Sequence, residues 1–203
     1  KPKPMVEIGG KPILWHILKT YSHHGVNDFI ICLGYKGYLI KEYFTNYLLH
    51  NSDLTIDLTA NRIEILERSA EPWRVTLVDT GEHTQTGGRL GRVRRFLEEE
   101  EAFCFTYGDG VGNIDITRLL HYHQAHGKAA TVTAVTPPGR FGALGLEGEQ
   151  VVEFTEKPSG DNGLINGGYF VLNRSTLDLL GDDDLAWEDG PIASLVQQRQ
   201  LVA

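Results

Sequence analysis

Asp109 is framed by glycines in Tyr107-Gly108-Asp109-Gly110, at the end of the apolar run Ala102 to Tyr107. A carboxylate so placed can hold a divalent cation, or it can simply shape a turn. Lys1 and Lys3 alternate with Pro2 and Pro4. Proline steers its neighbour away from helix, so both ammonium groups sit on an extended segment that could face a polyphosphate or plain solvent. Lys157 follows Glu156 and precedes Pro158, which sets a carboxylate and an ammonium side by side at a strand end. Thr86-Gly87-Gly88-Arg89 stands just ahead of an amphipathic stretch. A glycine pair there could bare backbone N–H groups to an anion or a base edge, or merely start a helix. Asn166-Gly167-Gly168 opens an apolar strand, a place where a ligand could touch the backbone.

Helices and strands must hold these residues in place. Pro12 opens a helical pattern in which Ile13, Leu14, Ile17, Leu18 and Tyr21 share a face and Gly25 ends the run. His23 and His24 fall in its last turn, as surface residues. Phe29 to Leu33 is a continuous apolar strand of the kind buried on both faces. A second helix spans about Tyr38 to Leu48. Leu54 to Glu67 alternates in polarity and reads as a hairpin, and Trp73 to Asp79 reads as a further strand. Leu90, Val93 and Leu97 give a short helix with Arg92, Arg94 and Arg95 outside. Asp115 is a candidate N-cap and Gly127 a candidate stop for the helix between them. With the strands Ala102 to Tyr107 and Ala129 to Thr136, that helix forms a βαβ unit. Ligands of open α/β sheets bind beyond the carboxyl ends of such strands, where Asp109 stands. The segments flanking Gly148-Glu149 read as another hairpin, and Asp182-Asp183-Asp184 as solvated loop. His121, His123 and His126 lack the helical pairing of a zinc site and are assigned no metal.

Composition narrows the function class. The chain has 203 residues, enough for one domain with a sizeable core, and is 41% hydrophobic and 23% charged. Its net charge of −8 argues against nucleic acid or an anionic membrane as the main partner. No apolar run is long enough to span a bilayer and no signal peptide is present, so a cytoplasmic location is expected. The two cysteines, Cys32 and Cys104, each lie in a strand-like run and read as buried free thiols, with a disulfide as the alternative.

KPKPMVEIGGKPIL, TGGRLGRV, YGDG, PPGRFGAL, EKP and INGGYFVL occur in that order along essentially the whole chain. Together they resemble the motifs of the sugar-phosphate nucleotidyltransferases. The resemblance implies an α/β three-layer sandwich with a Rossmann-like, mixed but mostly parallel sheet, forming a single domain over 1–203. It implies Mg²⁺ as cofactor, CTP and α-D-glucose 1-phosphate as substrates, and CDP-glucose and pyrophosphate as products. Carried over by motif, Lys3 contacts the nucleotide phosphates, Thr86, Gly87, Gly88 and Arg89 surround the cytosine, and Asp109 binds Mg²⁺. Gly142, Glu156, Asn166 and Gly167 hold the sugar, with Lys157 on its phosphate. A homo-oligomer is expected of the full-length protein. The chain starts without Met and stops as a new strand opens, so both ends read as cut. The family's opening G-x-G-T-R loop and a later metal-binding aspartate lie outside it, and these residues alone are expected to be inactive.

The alternatives are a relative that uses UTP or dTTP, a glycosyltransferase of related fold, and a non-catalytic sugar-nucleotide-binding subunit.

Overall fold

The computed structural model describes residues 1–68, 70–137, 143–147, 150–155, 164–181 and 183–203, with backbone alone at 68, 143–147 and 150–155. Two small strands, β1 (Glu7–Ile8) and β2 (Lys11–Pro12), pair ahead of helix α1 (Ile13–His23). β3 (Asp28–Leu33), α2 (Gly37–Thr45) and the single turn α3 (Tyr47–His50) follow. Next come the hairpin β4 (Ser52–Asp57) and β5 (Arg62–Arg68), then β6 (Arg74–Asp79) and α4 (Thr86–Arg92). β7 (Ala102–Thr106), α5 (Ile116–His126) and β8 (Ala130–Val135) form the middle of the chain. The antiparallel hairpin β9 (Ala143–Glu147) and β10 (Gln150–Thr155) leads to β11 (Ile165–Asn173), α6 (Pro191–Gln197) and β12 (Leu201–Val202).

β11 is the axis of the molecule. The central sheet has the order β12-β8-β11-β7, and β11 runs antiparallel to both of its neighbours. β12 is parallel to β8, so three of the four strands share a direction and β11 opposes them. The expected βαβ unit is therefore split: β7 and β8 point the same way, but β11 lies between them. A second, parallel sheet joins β3 to β6 in register from Asp28↔Arg74 to Leu33↔Asp79.

Side-chain alternation sorts the core into two faces. Phe170 and Leu172 of β11 enter one cluster with Leu90, Val93, Trp187 and Leu195, under α4 and α6. Tyr169 and Val171 enter another with Ile17, Leu18, Tyr21, Ile116 and Leu119, under α1 and α5. β3 splits in the same way: Ile30 and Cys32 pack on the first cluster, Phe29 and Ile31 on the second. Helices thus cover both faces, a mixed α/β three-layer arrangement. Phe170, Val171 and Leu172 are fully buried, each stabilising by about 1.5–3 kcal/mol. Cys32 and Cys104 are free, and burial pushes both thiols up to about 11. No helix among the described residues is long and apolar enough to cross a membrane.

Several local expectations change. Lys3–Met5 is a 3-10 turn, closed by Met5 N–H to Pro2 O at 2.9 Å and Val6 N–H to Lys3 O at 3.0 Å, and is not extended. Proline sits at the start of this turn, where its missing N–H costs nothing. His24 is part-buried, with Nδ1 2.8 Å from Thr117 Oγ1, and fastens the end of α1 to the start of α5. Asp183 and Asp184 are exposed, as a solvated loop requires, and the Asp183 carboxylate also pairs with the Arg92 guanidinium, while Asp182 lies outside the described residues.

Candidate active site

Asp109 sits beyond the carboxyl end of β7, as the strand pattern demands. Lys3 reaches it from the other end of the sequence: Nζ lies 3.8 Å from Asp109 Oδ2. A Cβ placed on Gly108 would stand 3.3 Å from Pro4 Cγ, so the glycine admits the KPKP turn against the Asp109 loop. Neither Gly108 nor Gly110 takes a positive φ, so close approach, and not a sharp turn, explains Gly108. Tyr169 holds the loop from below. Its hydroxyl accepts a hydrogen bond from Gly112 N–H at 3.0 Å and donates to Gly110 O at 3.2 Å.

Asn166 and Gly167 lie in β11 where its pairing with β8 shifts register between Asn166 and Phe170. A Cβ on Gly167 would fall 2.7 Å from Thr133 Oγ1, and Gly168 adopts φ +79° beside the Tyr107 ring. Asn166 Oδ1 accepts from Gly168 N–H at 2.8 Å, and Nδ2 donates to Tyr107 Oη at 3.4 Å. Asn166 and Asp109 are thus linked through Tyr107, the residue just before Gly108.

Thr86, Gly87, Gly88 and Arg89 open α4, but their surroundings differ from the expectation. Gly87 and Gly88 are buried against the segment 183–187, and Gly88 N–H donates to Leu185 O at 3.2 Å. A Cβ on Gly88 would stand 2.5 Å from Asp183 O, so the pair is needed for backbone packing. The Arg89 guanidinium donates to Leu33 O at 3.2 Å, to Thr80 Oγ1 and Gly81 O at 2.8 Å, and to Glu82 O at 3.2 Å. It braces the ends of β3 and β6, a task that fixed charge and planar donors suit. Thr86 Oγ1 accepts from Trp187 N–H at 2.8 Å and donates to Glu188 at 2.9 Å.

Gly142, Glu156 and Lys157 lie outside the described residues. The site residues that sequence reasoning missed are Tyr107, Tyr169 and Glu188. Tyr107 adjoins the Asp109 motif and could have been flagged. Glu188 is joined to it only by tertiary folding. The Glu188 carboxylate accepts from both Thr86 and Tyr107. Burial first, then the Glu188 bond, push the Tyr107 hydroxyl upward, so it stays protonated and can donate.

A carboxylate, a lysine, the end of β7 and the opening of β11 meet here at one end of the central sheet. The chain belongs to the nucleotidyl transferase family, whose model matches residues 1–198. Solved structures share its fold: HddC from Yersinia pseudotuberculosis has a TM-score of 0.64 at 22% identity, covering 93% of this chain and 75% of that one. An apo UDP-glucose pyrophosphorylase has a TM-score of 0.62 at 13% identity, covering 98% and 81%. Over all 203 residues the chain is 60% identical to glucose-1-phosphate cytidylyltransferase of Salmonella typhi, spanning 79% of that protein. It is 28% identical over 206 residues to the mannose-1-phosphate guanylyltransferase catalytic subunit beta of Dictyostelium discoideum, covering 99% of this chain and 52% of that one.

Proposed function

We propose that this protein transfers a cytidylyl group from CTP to α-D-glucose 1-phosphate, giving CDP-glucose and pyrophosphate. The observation that carries the reading is the pairing of Lys3 with Asp109 at the end of β7, in a chain 60% identical to a protein of that name. The sugar phosphate, with a second pKa of ~6, is largely dianionic near neutrality. It attacks the α-phosphorus without a general base, so the site's work is alignment and charge neutralisation.

Asp109 is the residue offered to Mg²⁺. It is a hard oxygen donor, its side chain is 43% exposed, and Lys3 is its ion-pair partner among the described residues. A single carboxylate with water and substrate phosphate around it suits Mg²⁺. When bound, that ion would neutralise charge developing on the phosphates. Lys3 binds the nucleotide phosphates, and Thr86 flanks the base while Gly87, Gly88 and Arg89 hold the backbone beneath it. Asn166 and Gly167, with Gly142, Glu156 and Lys157, form the sugar-phosphate side. A single domain over 1–203, a homo-oligomeric assembly and work in the cytoplasm belong to the same proposal.

The test is pyrophosphate release by the full-length protein with glucose 1-phosphate and each of CTP, UTP and dTTP. Release with CTP well above the others supports the reading. Equal use of UTP refutes the base assignment, and no release with any nucleotide refutes the reaction.

A further inference from the structure

Glu188 belongs to no motif used above, yet it touches both sides of the site. It lies just after Trp187, which is fully buried against Phe105 and Phe170 at ring separations of 5.7 and 6.1 Å. That anchor fixes the backbone from which the Glu188 side chain extends. One carboxylate oxygen accepts from Thr86 Oγ1 at 2.9 Å, and the other accepts from the Tyr107 hydroxyl. Tyr107 Oη in turn accepts from Asn166 Nδ2 at 3.4 Å, and Asn166 Oδ1 accepts from Gly168 N–H at 2.8 Å. The chain of bonds therefore runs from the start of α4, across the end of β7, to the register shift in β11.

Each group in this chain has a defined direction. Ionised glutamate is acceptor-only, so both hydroxyls must donate to it. The Tyr107 oxygen is left with lone pairs for Asn166, which turns the Asn166 amide nitrogen toward Tyr107 and its carbonyl oxygen toward Gly168. Resting on the function proposed above, we infer that Glu188 is a positioning residue that sets the Asn166 carboxamide for sugar recognition and ties it to the nucleotide side through Thr86. Hydroxyl discrimination by a sugar site depends on which end of such an amide faces the ligand.

The full-length protein is compared with Glu188→Ala, Tyr107→Phe and the double variant. The readouts are affinity for glucose 1-phosphate and for galactose 1-phosphate, which differs in the orientation of one hydroxyl. Thermal midpoints are recorded alongside. Each single variant is expected to lower the preference for glucose 1-phosphate by roughly tenfold or more, the scale of a hydrogen bond to a charged group. The double variant is expected to lose no more than the worse single one, because both break one chain. Glu188→Ala should also raise the KM for CTP more than Tyr107→Phe does. Equal weakening for both sugars, or a lower melting point with the sugar preference unchanged, would show a purely structural brace and overturn the inference. Additive losses would overturn it too, since the residues would then act separately. If the unaltered protein neither binds glucose 1-phosphate nor releases pyrophosphate, the proposed function itself fails.

Discussion

Lys3 Nζ stands 3.8 Å from Asp109 Oδ2, yet the side chains are 84% and 43% exposed. An ion pair this open contributes at most about 1 kcal/mol to stability. Its use lies elsewhere: both charges can leave one another for a phosphate and a cation at little cost.

Asp109→Asn should accordingly spare the fold and abolish Mg²⁺-supported turnover. The melting point should stay within the roughly 0.5 kcal/mol of ordinary surface changes. Turnover should fall by at least the ~100-fold that losing even an outer-shell partner can cost. Near-normal rates at ordinary Mg²⁺ would remove Asp109 from the metal site.

Tyr169→Phe removes the hydroxyl that holds both Gly110 O and Gly112 N–H. Stability should fall by about 1–3 kcal/mol, read as a lower thermal midpoint. The loosened Asp109 loop should also raise the Mg²⁺ concentration needed for half-maximal rate. An unchanged Mg²⁺ requirement would separate Tyr169 from the loop's function.

Gly88→Ala should destabilise, because the added Cβ would meet the Asp183 backbone at 2.5 Å and that backbone has no free rotamer to swing aside. Overpacking of this kind costs about 1–3 kcal/mol. Gly110→Ala, with nothing within 4 Å of its Cβ, is the comparison and should leave the urea midpoint in place.

His126 should make stability fall on acidification. Burial first, then the neighbouring His123, hold its pKa below the ordinary 6.5. Thr131 Oγ1 lies 2.7 Å from His126 Nε2 and 2.8 Å from His123 Nδ1. The unfolded chain therefore takes up this proton more readily than the folded one. The contribution is full above pH 6.5 and is lost as pH falls through the folded-state value. His126→Gln should flatten the slope of melting temperature against pH below neutrality.

Local patterns in the sequence were good guides to local structure. Asp115 caps α5, accepting from Arg118 N–H at 2.9 Å, and Gly127 ends it at φ +64°. The apolar face of α1 was equally readable, whereas β3 buries Phe29 and Leu33 and leaves Ile30, Ile31 and Cys32 half-buried. Strand order was not, because β11 reaches its place between β7 and β8 by pairing across long sequence distances. The roles of Arg89 and Glu188 escaped for the same reason. Guanidinium and carboxylate tips go where folded oxygens and hydroxyls await them, and spacing along the chain carries no record of that. In the sequence Gly88 reads as a possible ligand contact, while the structure gives it a packing reason.

The placement of the two cysteines has a use of its own. Cys32 lies in β3 and Cys104 in β7, so each sheet carries one thiol, and both titrate only at about 11. Near neutral pH almost none of either is thiolate, so alkylation is slow in the closed sheets and speeds up when a strand opens. The rates at which iodoacetamide labels the two positions are therefore separate clocks for the two sheets. Matching rates would mean that β3–β6 and the sheet around β11 come apart as one cooperative unit, and differing rates would identify which one yields first.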